Sequence, residues 1–312
     1  MKRRTLLSSL AATGAALSLP ASAQTVKVVF GYTAVTDFAS VFVGQEEGFF
    51  KKRGLDVEPK FIPVNSTIPA AIQSDSLQMG GPTPSVFLQS VDAGLDHVVL
   101  AGGGVLSKSF TDIGLVARAG SGIRTAKDCE GKKVGVPGLG ALLHVTFRQW
   151  LKLNGADPKK IQFIESSFPQ HADLIRGGSL DAVVTGGPFM LRILDSGSGY
   201  VAAYYTTFLP EGVATIVHVA KREWVQKNPA AAKAFREGVV EAAAWMKNPA
   251  NNARLREHIA KYIKLPPAAI ASMQISPTGP LISEAQLRWW VDMMNDQEML
   301  KTKLDISKLI AK

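Results

Sequence analysis

The stretch VKVVFGYTAVTDFASVFVGQEEGFFKKRGLDVEPKFI, residues 26–62, decides the fold class. Residues 26–30 form a short apolar run that ends at Gly31, as a buried parallel strand does. Apolar side chains then recur at helical spacing over residues 38–52, and Gly54 follows as a glycine that closes a helix. A second strand is predicted over residues 55–62. This strand–helix–strand order predicts an α/β fold built on a parallel sheet that helices cover on both faces.

Strand and helix patterns continue to alternate along the chain. Further strands are predicted at residues 77–80, 97–100, 134–136, 161–164, 182–184 and 200–204, and helices at 68–72, 84–93, 141–153, 170–176 and 189–194. A second set of elements begins around residue 118, so two α/β domains joined by two crossings fit better than one large sheet. We expect lobe 1 to comprise residues 24–117 and 210–312, and lobe 2 to comprise residues 118–209.

The C-terminal part is predicted to be mainly helical. After an apolar run at residues 213–219, Pro229 opens a predicted helix that extends to residue 247. Ser283 and Gln286 have capping-box spacing and predict a last helix through residue 296.

Composition excludes several classes of protein and site. With 312 residues, 46% hydrophobic and 20% charged, the chain is typical of a globular protein with one or two cores, not of a disordered one. The single cysteine, Cys129, excludes an internal disulfide and a cysteine-based zinc or iron–sulfur site. The five histidines never stand at zincin spacing. We therefore expect no metal and no cofactor.

Residues 1–23 have the pattern of a secretory signal peptide. A basic start and an apolar stretch over residues 6–19 precede the small residues Ala21 and Ala23 of a cleavage site. We expect cleavage after Ala23 and an exported chain that begins at Gln24. A retained membrane anchor is the alternative, and the choice between Sec and twin-arginine export stays open.

The positive charge of the chain belongs partly to this signal. Removal of Lys2, Arg3 and Arg4 lowers the formal net charge from +9 to +6. The other basic residues stand in short groups beside turns, which is typical of a solvated face. We expect no binding of nucleic acid.

Small, polar and aromatic residues follow three predicted strands of lobe 1. Open α/β sheets bind ligands at the carboxyl ends of their strands. Ordinary turn chemistry uses the same polar residue types, and after the first strand the alternative is Asp37 as a helix N-cap with Phe38 in the core. The candidate ligand-binding residues here are Tyr32, Thr33, Phe38, Asn65, Ser66, Thr83 and Pro84.

In lobe 2, Gly138 and Gly140 precede a predicted helix that starts near Ala141 and Leu142. The third glycine of a dinucleotide-binding loop is missing, and so is the Lys-Ser/Thr pair of a phosphate loop. What remains is a helix start whose free N–H groups can hold an anion, or else close packing of strand and helix.

No residue pattern indicates catalysis. The serine and histidine residues lack a G-x-S-x-G elbow. Cys129 stands between Asp128 and Glu130, whose charges raise the pKa of a thiol rather than activate it. We therefore expect no catalytic residue and no enzyme.

Residues 44–58, GQEEGFFKKRGLDVE, resemble the ABC-transporter solute-binding proteins of the nitrate, sulfonate and taurine class, which are related to the thiamine-pyrimidine synthases. Residues 80–84, 115–134 and 180–189 are similar to further segments of that family. The resemblance implies a type II periplasmic-binding-protein fold, with two α/β lobes around a ligand cleft. It also implies a periplasmic monomer that captures a small-molecule ligand and delivers it to an ABC permease in the inner membrane.

By position, the resemblance places ligand contacts at the candidate residues above and at Gly186 and Gly187. Sulfonate and nitrate binders of this class tend to have Ser or Thr where this chain has Gly138 to Ala141, and many relatives have a tryptophan near Gly186. A larger or more aromatic organic solute therefore fits at least as well as a sulfonate or nitrate. We expect the ligand to be a small organic solute that is anionic or aromatic.

The same reasoning divides the ligand contacts between the lobes. We expect backbone N–H groups of residues 140–142 to hold the polar end of the ligand. Lobe 1 would supply Asn65, Ser66 and Thr83 as donors, with Tyr32 or Phe38 as an apolar wall.

Two alternatives to an importer component stay open. A thiamine-pyrimidine-synthase-like enzyme shares the implied fold, but it carries a cysteine-rich iron-binding segment that Cys129 alone cannot supply. A binding protein that presents its ligand to a sensor kinase has the same sequence features as a transport component.

Overall fold

The computed structural model describes residues 25–109 and 112–311. The predicted signal peptide and its cleavage site lie outside the described residues. Within them, no helix has the length and apolar character needed to cross a membrane.

Ten strands of the described chain form two five-stranded sheets. In chain order they are β1 (Val26–Tyr32), β2 (Leu55–Phe61), β3 (Met79–Gly80), β4 (His97–Gly102), β5 (Ile113–Arg118), β6 (Lys133–Val136), β7 (Gln162–Glu165), β8 (Ala182–Gly186), β9 (Gly199–Ala203) and β10 (Val217–Lys221).

Helices connect most of these strands and form most of the C-terminal part. They are α1 (Ala39–Glu46), α2 (Ile68–Gln73), α3 (Pro84–Asp92), α4 (Leu142–Leu153), α5 (His171–Arg176), α6 (Gly187–Asp195), α7 (Arg222–Lys227), α8 (Pro229–Met246), α9 (Asn252–Tyr262), α10 (Pro267–Ser272) and α11 (Glu284–Asn295).

The two sheets have the same plan. The first has the order β2-β1-β3-β10-β4 and the second the order β7-β6-β8-β5-β9. β1 pairs in parallel with β2 and β3, and β6 with β7 and β8. β10 and β5 are antiparallel to both of their neighbours, so the expectation of parallel sheets is wrong for these two strands.

The direction of β5 and β10 follows from the route of the chain. Each is the first strand after the chain crosses from one sheet to the other, through residues 103–112 and residues 204–216. Parallel neighbours need a long crossover connection, usually a helix, that returns the chain to the same edge. A chain that arrives directly from the other lobe has no such crossover, and it enters the sheet in the opposite direction.

The pairing of β5 shows where the first predicted lobe boundary lies relative to the second sheet. Residues 113–117 pair with β8, so the predicted change of lobe between residues 117 and 118 falls inside a strand of the second sheet. The second predicted change, between residues 209 and 210, falls in the connection between β9 and β10.

The predicted helix over residues 38–52 is shorter than expected. α1 ends at Glu46, and a separate 3-10 turn covers Lys51–Arg53. Gly48 has a φ of 71°, a left-handed conformation that ends the helix. Gly54, with a φ of 75°, closes the 3-10 turn instead of the helix.

Phe50 explains why the chain turns so tightly here. A Cβ on Gly44 of α1 or on Gly238 of α8 would come within 2.6 or 2.5 Å of its ring. The ring stacks on Phe235 with centroids 5.3 Å apart. Phe50 therefore fills the space between α1 and α8, and both glycines are needed to admit it.

Two C-terminal helices begin where the sequence predicted, because each has a residue pattern typical of a helix start. α8 begins at Pro229, and Ser283 and Gln286 form the predicted capping box of α11. Trp290 is fully buried and donates its Nε1–H to the carbonyl oxygen of Ala214 at 2.9 Å. α9 and α10 lie between α8 and α11, in the part of the chain predicted to be mainly helical without bounds for each helix.

Candidate functional site

A cleft of about 90 Å³ lies between the two lobes. In lobe 1 its lining comes from residues 33–37, which follow β1, and from the segments after β2 and β3. In lobe 2 it comes from residues 141–143 at the start of α4 and residues 186–189 at the start of α6. The carboxyl ends of the parallel strands thus face the cleft in both lobes, as expected for open α/β sheets.

Seven of the thirteen predicted ligand-binding residues line this cleft. Three of them, in lobe 1, are Thr33, Asn65 and Thr83. The other four, in lobe 2, are Ala141, Leu142, Gly186 and Gly187.

Six predicted residues lie outside the cleft lining, namely Tyr32, Phe38, Ser66, Pro84, Gly138 and Gly140. The ring of Phe38 is fully buried in the core, which agrees with the alternative stated for it. The hydroxyl of Tyr32 donates to the carbonyl oxygen of Tyr262 at 3.1 Å, so its ring packs inward as well. The structure therefore does not form the predicted apolar wall from these two side chains.

The apolar wall comes from lobe 2 instead. Phe168, after β7, and Phe189, in the first turn of α6, both line the cleft. Their rings stack with centroids 5.6 Å apart and an interplanar angle of 24°. The sequence analysis did not include either residue among the predicted ligand contacts. Each follows a strand of the second sheet, at the carboxyl edge where ligand-binding residues were predicted in lobe 1.

Asn65 holds the loop after β3 in place. Its Oδ1 accepts the N–H of Thr83 at 2.8 Å, and its Nδ2 donates to the carbonyl oxygen of Gly81 at 3.1 Å. The hydroxyl of Thr83 in turn caps α3 through the N–H of Val86 at 3.4 Å. Asn65 and Thr83 were both predicted as donors to the ligand. Their side chains bond instead to backbone groups of lobe 1 and so fix the shape of the cleft wall.

The helix start of lobe 2 has fewer free N–H groups than expected. Gly140 donates its N–H to Nδ1 of His144 at 2.9 Å, and Ala141 donates to the carbonyl oxygen of Gly138 at 3.0 Å. Burial lowers the pKa of His144 to about 3, so its ring is neutral and can accept this bond. Of the three N–H groups predicted to hold the ligand, that of Leu142 alone is left without such a partner at the first turn of α4.

Asp37 lines the cleft beside the end of β1, in the 3-10 turn that precedes α1. The hydroxyl of Thr215 donates to Oδ1 of this carboxylate, and the hydroxyl of Ser276 lies 3.4 Å from the same oxygen. Burial raises the pKa of Asp37, and these hydroxyl bonds oppose the rise. Val35, not Asp37, occupies the N-cap position of the turn, which corrects the alternative reading of Asp37 as a cap.

The glycine run after β4 makes room for this carboxylate. A Cβ on Gly104 would collide with Oδ1 of Asp37 and would come within 2.6 Å of the Thr215 hydroxyl. The signal was present in the sequence as Gly102-Gly103-Gly104, but only the fold shows what these glycines face.

The lining of the cleft has an acidic side chain but no basic one within the part of the chain that the structure describes. Among the described residues, Asp37 is the one titratable side chain in the lining, and no lysine, arginine or histidine reaches it. The remaining polar groups are threonine hydroxyls and the amides of Asn65 and Gln274. The described lining of the cleft therefore combines apolar and neutral polar side chains with one carboxyl group.

One side-chain bridge joins the two lobes at the edge of the cleft. The hydroxyl of Ser66 in lobe 1 donates to Oε1 of Glu165 in lobe 2 at 2.7 Å. The same oxygen accepts the N–H of Leu139, also at 2.7 Å. Ser66 and Gly138 therefore lie at an interlobe contact.

Within the described residues, neither a reactive thiol nor a metal-binding cluster forms a second functional site. Cys129 is buried, and burial together with Asp128 raises its pKa to about 12, which confirms the predicted direction. No group of three or more His, Cys, Asp or Glu residues within 25–109 and 112–311 could hold a metal ion.

A family model described as NMT1/THI5 like matches residues 35–253. The chain belongs to this family. The resemblance found in the sequence is thereby confirmed.

Curated relatives include the nitrate/nitrite binding protein NrtA of Synechococcus elongatus, which is 29% identical over 254 residues, 72% of this chain and 56% of the relative. The bicarbonate-binding protein CmpA of the same species is 25% identical over 268 residues, 74% of this chain and 56% of the relative. The chain thus spans about half the length of these relatives.

Solved structures confirm the fold. The alkanesulfonate-binding protein SsuA of Xanthomonas axonopodis bound to MOPS has a TM-score of 0.75 at 16% identity, covering 93% of this chain and 99% of SsuA. The periplasmic nitrate-binding protein NrtA of Synechocystis also has a TM-score of 0.75, at 18% identity, covering 91% of this chain and 84% of NrtA. The desulfurization enzyme DszB matches with a TM-score of 0.62 at 13% identity, covering 91% of this chain and 96% of DszB. The predicted two-lobed α/β fold of the periplasmic binding proteins is correct.

Proposed function

We propose that this protein is the exported solute-binding component of an ABC importer. It captures a small organic solute between its two lobes in the periplasm and delivers it to a permease in the inner membrane, acting as a monomer. The observation that supports this most directly is the cleft itself, whose walls come from both lobes. A ligand held there touches both lobes at once, so its binding energy favours their closed arrangement.

The second lobe in this proposal is the unit built on β5 to β9. The described residues of the two connections between the sheets, 103–109 and 204–216, act as the hinge. The Ser66–Glu165 bridge crosses the opening between the lobes and closes behind the ligand. Capture and release then follow from one hinge motion, as in other two-domain binding proteins.

The lining favours an organic solute over an inorganic oxyanion. Nitrate and bicarbonate are named as ligands of two relatives, and an alkanesulfonate of a third. An anion that leaves water needs hydrogen-bond donors or an opposite charge, and no lysine, arginine or histidine of the described chain lines the cleft. Phe168 and Phe189 instead present an aromatic surface.

The test is native mass spectrometry of the full chain purified from the periplasm without denaturation. We expect a small organic molecule to be bound, and when supplied at about 100 times its Kd it should add about 2.7 kcal/mol to the free energy of unfolding. Ala141→Phe should lose the molecule because the new ring fills the cleft, whereas Ala230→Phe on the exposed side of α8 should retain it. If no solute of a broad panel binds, the transport proposal is wrong.

An enzymatic role is the second possibility, because DszB shares the fold. The chemistry of the one thiol argues against a cysteine nucleophile, since Cys129 is buried and its pKa is raised to about 12. Prolonged incubation should return the bound solute unchanged. Formation of a product would favour the enzyme instead.

A further inference from the structure

Asp37 is the acidic side chain in the lining of the binding cleft. Its carboxylate shares the lining with Phe168 and Phe189 of the opposite lobe. No described lysine, arginine or histidine lies within ion-pair distance of it. A buried carboxylate without a cationic partner is costly, so a cation supplied by a ligand would stabilise it.

The surroundings of Asp37 are built to hold a carboxylate. Thr215 and Ser276 lie on separate segments, and the hydroxyls of both face Oδ1 as donors. Ser276 is almost fully buried, and Gly104 lacks the Cβ that would displace the carboxylate. Burial raises the pKa of Asp37, and these hydrogen-bond donors oppose the rise by favouring the ionised acceptor form.

The two carboxylate oxygens of Asp37 differ in their hydroxyl partners. Oδ2 receives neither of the two hydroxyl bonds, while Oδ1 receives both. A cationic N–H group beside Oδ2 would complete the hydrogen bonding of the carboxylate and neutralise its charge. An anionic ligand in the same place would be repelled by the carboxylate, because a buried site screens the repulsion between two like charges only weakly.

The opposite wall suits the rest of such a ligand. The stacked rings of Phe168 and Phe189 provide an apolar surface, and aromatic faces also attract cations. A ligand with a cationic end and a planar or aliphatic body would join Asp37 of lobe 1 to the phenylalanine pair of lobe 2.

We propose that the cleft selects a small organic cation, such as a protonated amine or an amidinium on an apolar body, and that Asp37 is its charge partner. This inference rests on the proposed solute-binding function and specifies its ligand class. It differs from the anions named for the relatives, because the titratable side chain in the lining of this cleft is the acidic Asp37, which would repel an anion.

The test uses three probes of matched shape and different charge: benzamidine as cation, benzamide as neutral amide and benzoate as anion. Isothermal titration calorimetry on the full mature chain measures their affinities. Benzamidine should bind at least about tenfold more tightly than benzamide, and benzoate should bind weakest. This comparison within the unaltered protein needs no variant.

Asp37→Asn then assigns the preference to one residue. The amide keeps an acceptor for the Thr215 hydroxyl but lacks the charge, so benzamidine should lose about 30-fold or more in affinity while benzamide changes little. Circular dichroism confirms the fold of the variant. Equal benzamidine affinity in variant and wild type would overturn the proposal, as would tighter binding of benzoate or no binding of any of the three probes.

Failure of this inference can be separated from failure of the transport proposal. An anionic solute found by native mass spectrometry would leave the solute-binding function intact and overturn the charge assignment. A cationic solute would support both.

Discussion

Ser66 and Glu165 face each other across the two lobes, with 2.7 Å between the Ser66 hydroxyl and Oε1 of Glu165. Ser66 stands in the loop after β2, and Glu165 is the last residue of β7, so the bond joins equivalent edges of the two sheets. The same Glu165 oxygen holds the N–H of Leu139 in the turn before α4. Removing Glu165 therefore frees both the interlobe contact and the glycine turn, whereas removing the Ser66 hydroxyl affects the contact alone.

The Ser66→Ala variant tests this bridge without disturbing the turn. We expect faster release of the bound solute and an affinity reduced about two- to tenfold, the range of one hydrogen bond of about 0.5–1.5 kcal/mol. Stopped-flow dissociation measures the change. Ser74→Ala is the matched control, because its hydroxyl bonds within its own lobe. An unchanged dissociation rate in Ser66→Ala would show that the bridge does not retain the ligand.

Asp37 should reduce the stability of the free protein. Burial raises its pKa above the ordinary 3.8, so as the pH rises from the acid range the unfolded chain ionises first and the folded form loses relative stability. Asp37→Asn should therefore be more stable than wild type near neutral pH, and its advantage should shrink as the pH falls through the raised pKa of Asp37 towards 3.8, where it should be lost.

Urea unfolding of both chains across the pH range measures this difference. Asp112, whose pKa burial raises to about 6, titrates in both chains and cancels in the comparison. Asp292→Asn on the exposed face of α11 is the control for the replacement of a carboxylate outside the cleft. A stability loss in Asp37→Asn at neutral pH would indicate that the carboxylate serves mainly to tie its neighbours together.

Gly104→Ala should disturb the position of this carboxylate. The new Cβ would collide with Oδ1 of Asp37, and relief of that overlap should cost about 1–3 kcal/mol of stability. Benzamidine binding should fall together with stability. Gly177→Ala is the matched control, since its Cβ would meet one backbone oxygen at 3.2 Å outside the cleft. Wild-type binding in Gly104→Ala would place the ligand away from Asp37.

Several strands and helices of this fold could be predicted from the sequence, because the patterns that indicate them are local. The capping box of Ser283 and Gln286 and the apolar run at residues 26–30 depend on neighbours in the chain, and both were confirmed. β5 was missed as a strand, since its antiparallel place in the second sheet follows from the crossing between lobes and not from its own pattern.

The candidate site was harder to predict because its roles depend on distant contacts. Asp37 follows β1 as a helix cap would, and only its contacts with Thr215 and Ser276 show that it faces the cleft. Asn65 lies in the lining of the cleft, but both ends of its amide bind the neighbouring loop. The chain positions of such residues were predictable, whereas the direction of their side chains required the packed structure.

Gly140 should control closure of the lobes through a steric contact that the sequence did not indicate. Its φ of 75° is left-handed, and a Cβ there would collide with Oε1 of Gln89 in α3 of the opposite lobe. Gly140→Ala therefore combines backbone strain of about 1–2 kcal/mol with an interlobe clash. We expect lower stability, and also a larger radius of gyration in small-angle scattering because the clash opens the cleft.

Two variants separate these effects. Gly155→Ala has the same backbone strain, at a φ of 74°, but its Cβ would meet nothing within 4 Å, so it should lose stability without opening. Adding Gln89→Ala to Gly140→Ala removes the clash and leaves the strain, so the radius of gyration should return toward that of wild type while stability stays low. If Gly140→Ala and Gly155→Ala scatter alike, the contact between Gly140 and Gln89 does not govern closure, and the hinge alone sets the distance between the lobes.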